Sequence, residues 1–323
     1  MIFSFLVMLF PSFHLYSDVK VPDVGKFAIV IGSDAAEPEK FAASELQKYL
    51  GKTTGFKAEI KNDEFEPNGF FFSVGRTKFS EGVSTQSDQS PITSGADSFI
   101  VRIENNSVIL CGGGDRGTLY SVYEFLEQQG CRWFFPGELG EVVPENGKLI
   151  LNKGERKFVP DFIQRELGVA PVGDIRAEDI IAWSAKNRLN RNFNLRNEVI
   201  YKSLPREKWK MNDERGGQIR FQWVAHNLSW MIPSDKYFKS HPEYYALYKG
   251  ERIPSGSPGK PGYGGGNICT TNPEVIKICA DFAIDWFSKN PGGEVVPLWP
   301  GDGAIKWCEC PECSKLGGIN FMP

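Results

Sequence analysis

Apolar and polar positions in the first half of the chain follow a pattern that predicts a small sheet with helices. Four apolar runs have the length and composition of strands: 26–32, 70–75, 98–104 and 107–111. The runs 98–104 and 107–111 are predicted to form a hairpin across the turn Asn105-Asn106. Segments 38–50 and 115–129 carry apolar side chains at helical spacing, and Gly51 is predicted to end the first helix. The pattern predicts an α+β domain with about four strands and two helices on one face.

Three glycines at the start of the second predicted helix match a dinucleotide-binding pattern. Gly112, Gly114 and Gly117 fit G-x-G-x-x-G after a strand. That strand is the second arm of the predicted hairpin rather than the start of a parallel β-α-β unit, and Asp115 would place a carboxylate beside a pyrophosphate. We therefore interpret the glycines as a tight turn that lets the helix pack on the sheet.

From residue 161 onward, strand patterns and helix patterns alternate. The predicted strands are 162–167, 191–195, 219–226 and 294–298, and the predicted helices are 177–189, 234–240 and 272–290. Strands separated by helices imply parallel pairing in a doubly wound sheet or a (β/α)₈ barrel. About four strand–helix units make roughly half of a TIM barrel. We expect an α+β domain over 18–155, an incomplete α/β barrel over 156–323, and a chain that is part of a longer protein.

One segment of this second half departs from the alternation. Residues 255–266 are rich in Gly, Ser and Pro, and their composition predicts a mobile loop. The helix pattern that follows begins at Asn272, which is expected to cap it, with Pro273 in the first position. Its apolar stripe is predicted to be buried and consists of Val275, Ile276, Cys279, Phe282, Ala283, Trp286 and Phe287.

Composition narrows the class of partner. A formal net charge of −3 gives no basic surface for nucleic acid. Aromatic residues make up 13% of the chain, with eight tryptophans. Aromatic faces stack on sugar rings, although they equally fill ordinary protein cores. Composition is therefore compatible with a saccharide ligand and argues against a nucleic-acid partner.

The start of the chain resembles a targeting segment. Residues 2–10 form an apolar run that is too short to span a bilayer, and its length and position predict a signal peptide over 1–17. The run lacks a preceding Lys or Arg, and no A-x-A cleavage site precedes Asp18, so a buried strand or a misassigned start is the alternative. We expect a secreted or periplasmic protein without a stable membrane span.

Five segments, taken in order, form a recognisable series: 38–50, 115–138, 241–247, 267–275 and 301–316. The series resembles a bacterial family known as domain of unknown function 4838, over residues 25–318. The resemblance implies an N-terminal domain similar to those of α-glucuronidases of family 67 and β-hexosaminidases of family 20, followed by a glycosidase-like barrel. It further implies a glycoside hydrolase that acts on polysaccharide-derived sugars and needs no cofactor.

The ends of the predicted barrel strands supply candidate substrate-binding residues, because barrel active sites lie at the carboxyl ends of strands. These residues are Arg165, Glu166, His226, Asn227 and Asp302. Arginine and histidine there would bind sugar hydroxyls or a uronate carboxylate. The alternatives are a salt bridge for Arg165 and Glu166, a packed core histidine for His226, and an ordinary Asp-Gly turn for Asp302.

The catalytic residues are not identified by the sequence. Glycoside hydrolysis needs two carboxyl groups that flank the scissile bond. In the barrels that this chain resembles, the acid lies on later strands, so Glu166 and Asp302 are better candidates for binding than for proton transfer. A non-catalytic carbohydrate-binding protein is therefore the alternative function. A metal-dependent hydrolase that uses the cysteine cluster as a structural site is a third hypothesis.

Three of the seven cysteines lie within six residues. Cys308, Cys310 and Cys313 have the spacing of a structural Zn²⁺ site, with Cys269, His226 or His241 as a possible fourth ligand. The alternative in an exported protein is a disulfide such as Cys308–Cys313, with Cys310 free or paired with Cys269. Reduced thiols without metal are the third possibility. None of the three cysteines is expected to be catalytic.

Overall fold

The computed structural model describes residues 27–83, 97–145, 147–167, 176–192, 213–217, 219, 227–257, 260–291, 295–301 and 306–316. The chain divides into two compact units, residues 1–218 and residues 219–323. The predicted signal peptide over 1–17 lies outside the described residues. Within the described part, every helix is too short or too polar to cross a membrane.

In its described residues the first unit contains ten short strands and three helices. The strands are β1 (Ala28–Ile31), β2 (Glu59–Asn62), β3 (Phe71–Val74), β4 (Phe99–Ile103), β5 (Ser107–Gly112), β6 (Arg132–Trp133), β7 (Glu141–Val142), β8 (Gly154–Phe158), β9 (Glu166–Leu167) and β10 (Arg191–Asn192). The helices are α1 (Glu37–Thr54), α2 (Asp115–Gln128) and α3 (Ala177–Lys186). Short 3₁₀ turns lie at Lys78–Ser80 and Glu138–Gly140.

Six of these strands form one sheet, in the order β2-β1-β3-β5-β4-β8. Neighbours from β2 to β5 are parallel, whereas β4 is antiparallel to both β5 and β8. Ile29, Phe72 and Leu110 project from three adjacent strands into one core with Leu46 of α1 and Leu119 of α2. All five side chains are fully buried. The prediction of two helices packed on one face of a sheet is confirmed.

Two details of this sheet differ from the prediction. The sheet has two more strands than the apolar pattern indicated, because the edge strands β2 and β8 read EIKN and GERKF and hold few apolar residues. Helix α1 does not end at Gly51 but continues to Thr54, and Gly55 takes the left-handed conformation that ends it. Polar edge strands are common because one side of an edge faces solvent.

The glycine turn between β5 and α2 is a packing device. A Cβ atom on Gly112 would lie 2.0 Å from the backbone nitrogen of Thr118 and 2.2 Å from the carbonyl carbon of Gly117. β5 is the second arm of the hairpin with β4, as predicted. The turn is therefore the close approach of a helix to a strand, and the dinucleotide interpretation finds no support.

The barrel prediction is not confirmed by the described residues. After Phe158 they contain one parallel strand pair, β9 with β10, joined through α3. The predicted strand 219–226 lies outside the described residues except for Ile219, and 295–301 holds a single bridge residue, Val295, without a strand. Pro297 interrupts that segment, since proline cannot donate to a strand ladder. The described part is a mixed α/β structure without a closed barrel.

The second unit is built from two hairpins and four helices in its described part. The hairpins pair β11 (Ala246–Tyr248) with β12 (Glu251–Ile253) and β13 (Ser255–Ser257) with β14 (Lys260–Gly265). The helices are α4 (Leu228–Met231), α5 (Ser234–Tyr237), α6 (Pro273–Lys289) and α7 (Pro311–Lys315). Its main core gathers Ile232, Tyr245, Ile268 and Val275.

Two predictions for this unit need correction. The segment 255–266, expected to be a mobile loop, contains the β13–β14 hairpin, and a Cβ on Gly265 would lie 2.6 Å from the carbonyl oxygen of Gly256. The glycines therefore allow close backbone pairing. Asn272 caps α6 as predicted, but only Val275 and Cys279 of its expected buried stripe are buried; Ile276 is 54% exposed.

Glu141 in β7 connects two helices of the first unit. Its carboxylate accepts a hydrogen bond from Tyr49 Oη (2.5 Å) and forms ion pairs with Lys52 (2.6 Å) and Lys186 (3.2 Å). Desolvation opposes its charge, but hydrogen bonds from Lys52 and Tyr49 and the charge of Lys186 lower its pKa to about 2. Glu141 thereby ties α1 to α3.

This node predicts an acid-sensitive contribution to stability. The folded pKa of Glu141 lies below the ordinary glutamate value of about 4.3, so the contribution is complete above that pH and is lost as the pH falls toward 2. We expect Glu141→Gln to flatten the dependence of unfolding free energy on pH over this range, and Tyr49→Phe to give an intermediate slope. Urea denaturation at a series of pH values measures this, and identical slopes in all three proteins would contradict the assignment.

Two glycine-to-alanine substitutions, one in the turn before α2 and one inside α1, are predicted to change the stability differently. Gly112→Ala forces a methyl group into the backbone of α2, so we expect the unfolding free energy to fall by at least ~2 kcal/mol. Gly51→Ala lies inside α1 with its nearest neighbour at 3.7 Å, so we expect it to be neutral or to stabilise by about 0.5–1 kcal/mol. Chemical denaturation of both variants tests the pair, and equal effects would refute the packing argument.

Candidate functional site

Arg165, a predicted substrate-binding residue, is bound by protein groups of the first unit. Its Nη2 donates to Asp97 (2.7 Å), its Nε to the carbonyl of Arg188 (2.9 Å) and its Nη1 to the carbonyl of Phe162 (2.8 Å). The side chain is 19% exposed. These contacts fix the guanidinium just before β9 and agree with the salt-bridge alternative.

Asp97 is the centre of this ion-pair network. Its carboxylate accepts hydrogen bonds from Arg116 of α2 (2.5 Å), from Arg165 (2.7 Å) and from the side-chain amide of Asn190 (2.7 Å). Asp97 is buried, as are Arg116 and Asn190. One carboxylate therefore holds three segments that are far apart in the sequence.

Glu166 has a comparable partner. It lies directly opposite Arg191 in the β9–β10 pair, and Arg191 Nε is 3.1 Å from its carboxylate. Arg191 is only 3% exposed. The cross-strand pair neutralises a buried guanidinium, which is again the structural alternative for this residue. A role of Arg165 or Glu166 in sugar binding stays a prediction.

Asn227, the third described residue of the predicted site, fastens two segments of the second unit. Its side-chain Nδ2 donates to the carbonyl of Pro297, and its Oδ1 accepts from the backbone N–H of Trp299 (2.7 Å). The backbone N–H of Leu228 adds a bond to the carbonyl of Trp299 (3.2 Å). Because Asn227 is buried and its amide is used on both sides, it positions the segment 297–299.

His226 and Asp302 lie outside the described residues. The predicted convergence of Arg165, His226 and Asp302 around one sugar therefore stays a prediction. Two partly exposed tryptophans lie beside Asn227: Trp230 is 59% exposed and Trp299 is 41% exposed. The prediction based on polar residues at strand ends did not include them. The sequence signal for Trp299 was its position in a Trp-Pro-Gly-Asp run that leads to Asp302.

Four cysteines form the larger of two groups of potential metal ligands in the described part of the chain. The sulfur atoms of Cys269, Cys308, Cys310 and Cys313 all lie within 4.8 Å of one another, and all four residues are buried. Of the three fourth ligands that the sequence allowed, the structure brings in Cys269. His241 instead lies in a separate group with Glu243 and Glu274, and its Nδ1 is 3.0 Å from the Glu243 carboxylate.

Short backbone contacts bring the two cysteine segments together. The N–H of Cys269 donates to the carbonyl of Tyr244 (2.8 Å), and the N–H of Glu309 donates to the carbonyl of Leu247 (2.6 Å). Gly266 forms an isolated bridge with Lys306. Cys310 occupies the N-cap of α7, and its sulfur accepts from the N–H of Cys313. These contacts place the segment 306–313 next to the segment 244–269.

The cysteines are free thiols in the structure, so neither predicted disulfide is formed. Desolvation raises the pKa of Cys308 to about 12 and also raises the pKa of Cys313. Desolvation acts in the same sense on Cys310, but hydrogen bonds from the Cys313 backbone and the neighbouring side chains outweigh it and lower its pKa. Such a group offers soft sulfur ligands for a thiophilic cation.

Comparison with known families gives the identity of the chain. Residues 135–318, more than half of the chain, match the profile described as a domain of unknown function, DUF4838. The chain belongs to this family. Residues 25–125 match a second profile, the N-terminus of glycosyl hydrolase family 67. The resemblance seen in the sequence is confirmed, and none of the curated proteins is similar enough to count as a relative.

Solved structures of carbohydrate enzymes share low similarity with this DUF4838 chain. A GH115 4-O-methyl-α-glucuronidase with specificity for decorated arabinogalactans is 12% identical, with a TM-score of 0.43, over 68% of this chain and 33% of its own. A GH20 β-N-acetylhexosaminidase from Streptomyces coelicolor A3(2) is 12% identical, with a TM-score of 0.34, over 51% and 29%. A GH138 enzyme targeting pectin rhamnogalacturonan II is 12% identical, with a TM-score of 0.34, over 62% and 25%.

The chain thus spans about a third or less of the length of these structures. At TM-scores this low, the similarity carries no argument about the activity of the chain.

The Asp97 network predicts a large stability loss when its charge is removed. Asp97→Asn keeps the size of the side chain but removes the buried carboxylate to which Arg116 and Arg165 donate, so we expect the unfolding free energy to fall by about 3–5 kcal/mol. Asp281→Asn is the control, because its pair with Lys277 is exposed and worth at most ~0.5 kcal/mol. Urea denaturation followed by circular dichroism measures both, and a loss no larger than the control would contradict the network's role.

Proposed function

We propose that this DUF4838 protein is a carbohydrate-active protein of the glycoside-hydrolase type that acts on polysaccharide-derived sugars. The observation that carries the proposal is the match of residues 25–125 to the N-terminus of glycosyl hydrolase family 67, directly before the DUF4838 segment. The net charge of −3 and the aromatic content agree with a saccharide rather than a nucleic-acid ligand.

The proposed sugar site lies around the hydrogen bond between the Asn227 side chain and the backbone N–H of Trp299. His226 directly precedes Asn227 in the sequence, and Asp302 follows Trp299 by three residues. In the proposal, His226 and Asp302 hydrogen-bond sugar hydroxyls. Trp230 and Trp299 are partly exposed, and in the proposal the C–H face of a sugar stacks on their indole rings. Asn227 acts as a positioning residue, since its own amide is held by the 297–299 segment.

Sugar binding by Arg165 and Glu166 is the less favoured part of the proposal. The Asp97 carboxylate already compensates the charge of Arg165, and Arg191 compensates that of Glu166. A guanidinium fork that keeps its protein partners can still donate an outward N–H to a carboxylate. A uronate is therefore the ligand on which an effect of Arg165→Lys is expected.

The proposal also covers where the protein works. Polysaccharides are too large to enter a cell, and residues 2–10 have the length of the apolar part of a signal peptide. We propose a secreted or periplasmic location. The general acid and base are left unassigned, and a carbohydrate-binding protein without hydrolysis is the competing outcome of the experiment below.

The experiment combines a hydrolysis assay with a binding measurement. Aryl glucuronides and aryl N-acetylhexosaminides report turnover, and calorimetry with uronate-containing and N-acetylhexosamine-containing oligosaccharides reports binding. We expect His226→Ala and Asp302→Asn each to weaken binding about tenfold or more, which corresponds to about 1.4 kcal/mol for a lost polar contact. Asp281→Asn, an exposed change on α6, is the control and should leave binding unchanged.

The outcomes separate the two functions. Turnover that these variants reduce supports a hydrolase, and binding without turnover supports the non-catalytic alternative. If the folded wild-type protein binds no member of either sugar series, the proposed carbohydrate function is wrong. If the variants bind sugar as tightly as the wild-type protein, the sugar site does not lie beside Asn227.

A further inference from the structure

We propose that Cys269, Cys308, Cys310 and Cys313 together bind one Zn²⁺ ion, and that this ion folds the segment 306–316 onto the rest of the second unit. The inference does not depend on the carbohydrate function, because all of its residues and its test concern the sulfur cluster alone.

Two of the distances between the sulfur atoms equal the edge of a tetrahedral metal site, and the others are compatible with it. Four sulfurs at the usual Zn–S bond length of about 2.3 Å stand about 3.8 Å apart along the edges of a tetrahedron. Cys269 Sγ lies 3.7 Å from Cys310 Sγ and 3.8 Å from Cys313 Sγ. All four sulfurs lie within 4.8 Å of one another. A disulfide needs about 2.05 Å between two sulfurs, and a third and fourth thiol at the same centre would have no function in it.

Groups around the sulfurs are arranged to support negative charge. The N–H of Leu247 points at Cys308 Sγ (3.4 Å) and the N–H of Cys313 at Cys310 Sγ (3.5 Å). Thr271 Oγ1 lies 3.1 Å from Cys313 Sγ, and Arg252 Nη1 lies 3.9 Å from Cys308 Sγ.

These contacts lower the electrostatic cost of negatively charged sulfurs in a buried site. Zinc bound by four thiolates carries a net charge of about −2, and hydrogen bonds to the sulfurs with one nearby guanidinium reduce its cost in a buried site. Four neutral thiols would gain little from the same donors. The surroundings of the cluster thus fit a metal thiolate centre better than a set of reduced cysteines.

The ligand set indicates the kind of ion and its role. Tetrahedral sites of four sulfurs select zinc or iron, and sulfurs this close leave room for a single ion. With four protein ligands the coordination is complete, so no position is left for a water or a substrate. We therefore assign a structural rather than a catalytic role to the ion.

The packing around the cluster shows why an ion is needed there. The cysteines form a buried cluster of their own with Ala246, and Leu247 packs against it. Two aliphatic side chains bury too little apolar surface to hold a separate segment of the chain. A bound ion supplies the missing folding free energy, as in other small metal-stabilised modules. Metal coordination would also protect the thiols in an oxidising compartment.

The test begins with the wild-type protein and needs no variant. The full chain is purified with reductant, exposed to ZnCl₂, freed of loose metal, and analysed for metal content by mass spectrometry. We expect about one zinc per chain. Replacing zinc with Co²⁺ should give the intense visible absorption of a tetrahedral thiolate complex. Thiol titration after unfolding with chelator should find all seven cysteines reduced.

Matched variants then assign the ligands. Cys269→Ser and Cys310→Ser should lower the zinc content at least about tenfold and remove the cobalt spectrum. Cys279→Ser is the control, because Cys279 is buried in α6 but lies outside the cluster. It should bind zinc like the wild-type protein.

Several results would overturn the inference. Wild-type protein that takes up less than about a tenth of an equivalent of zinc contradicts the site, as does a titration that finds a disulfide among these four cysteines. Iron in place of zinc after purification refutes the assignment of the ion. Retained zinc in Cys269→Ser refutes the fourth ligand. None of these results bears on sugar binding, so the two proposals fail separately.

Discussion

A buried charge must have a partner, and this constraint explains the most unusual contacts of the molecule. Asp97 is almost fully buried and accepts bonds from Arg116, Arg165 and Asn190. A buried carboxylate alone would be far too costly, and so would two guanidinium groups without an anion. Each partner therefore holds the others in place. The network connects the strand that begins at Phe99, the helix α2 and the segments on either side of α3, so the architecture of the first unit depends on it.

The same constraint applies to the cysteine cluster, whose thiolates would also be buried anions. The four buried sulfurs lie near hydrogen-bond donors of Leu247, Thr271 and Arg252, which favour the thiolate form. The positive charge of one arginine does not balance four thiolates. Where Asp97 finds its counter-charge in two arginines, the thiolates need a cation from outside the chain. One rule of electrostatics thus accounts for a protein-only network in the first unit and for a metal site in the second.

The sequence predicts what local pattern controls and misses what distant partners control. The two main helices and the hairpin β4–β5 follow from apolar periodicity, and the cap at Asn272 follows from a single side chain. The edge strands β2 and β8 have no apolar signal, because solvent covers one side of each. The pattern places Arg165 at the carboxyl end of a predicted strand, 162–167, whereas in the structure it precedes β9 (Glu166–Leu167), and its partner Asp97 lies 68 residues away. No local rule indicates whether such an arginine faces a ligand or an aspartate, and the same holds for Cys269, which the sequence offered only as one of three fourth ligands.

The ion pairs also determine how the two family segments relate within the first unit. Asp97, Tyr49 and Arg116 lie in the segment that matches the family 67 N-terminus, whereas Arg165 and Glu141 lie in the segment that matches DUF4838. Hydrogen bonds from Arg165 to Asp97 and from Tyr49 to Glu141 cross the boundary between the two matches. Either segment alone would leave buried charged groups without their partners, which costs several kcal/mol for each broken pair. The first half of the DUF4838 segment is therefore part of the same folded unit as the family 67-like segment, and a carbohydrate function of the family has to be sought in a chain that contains both.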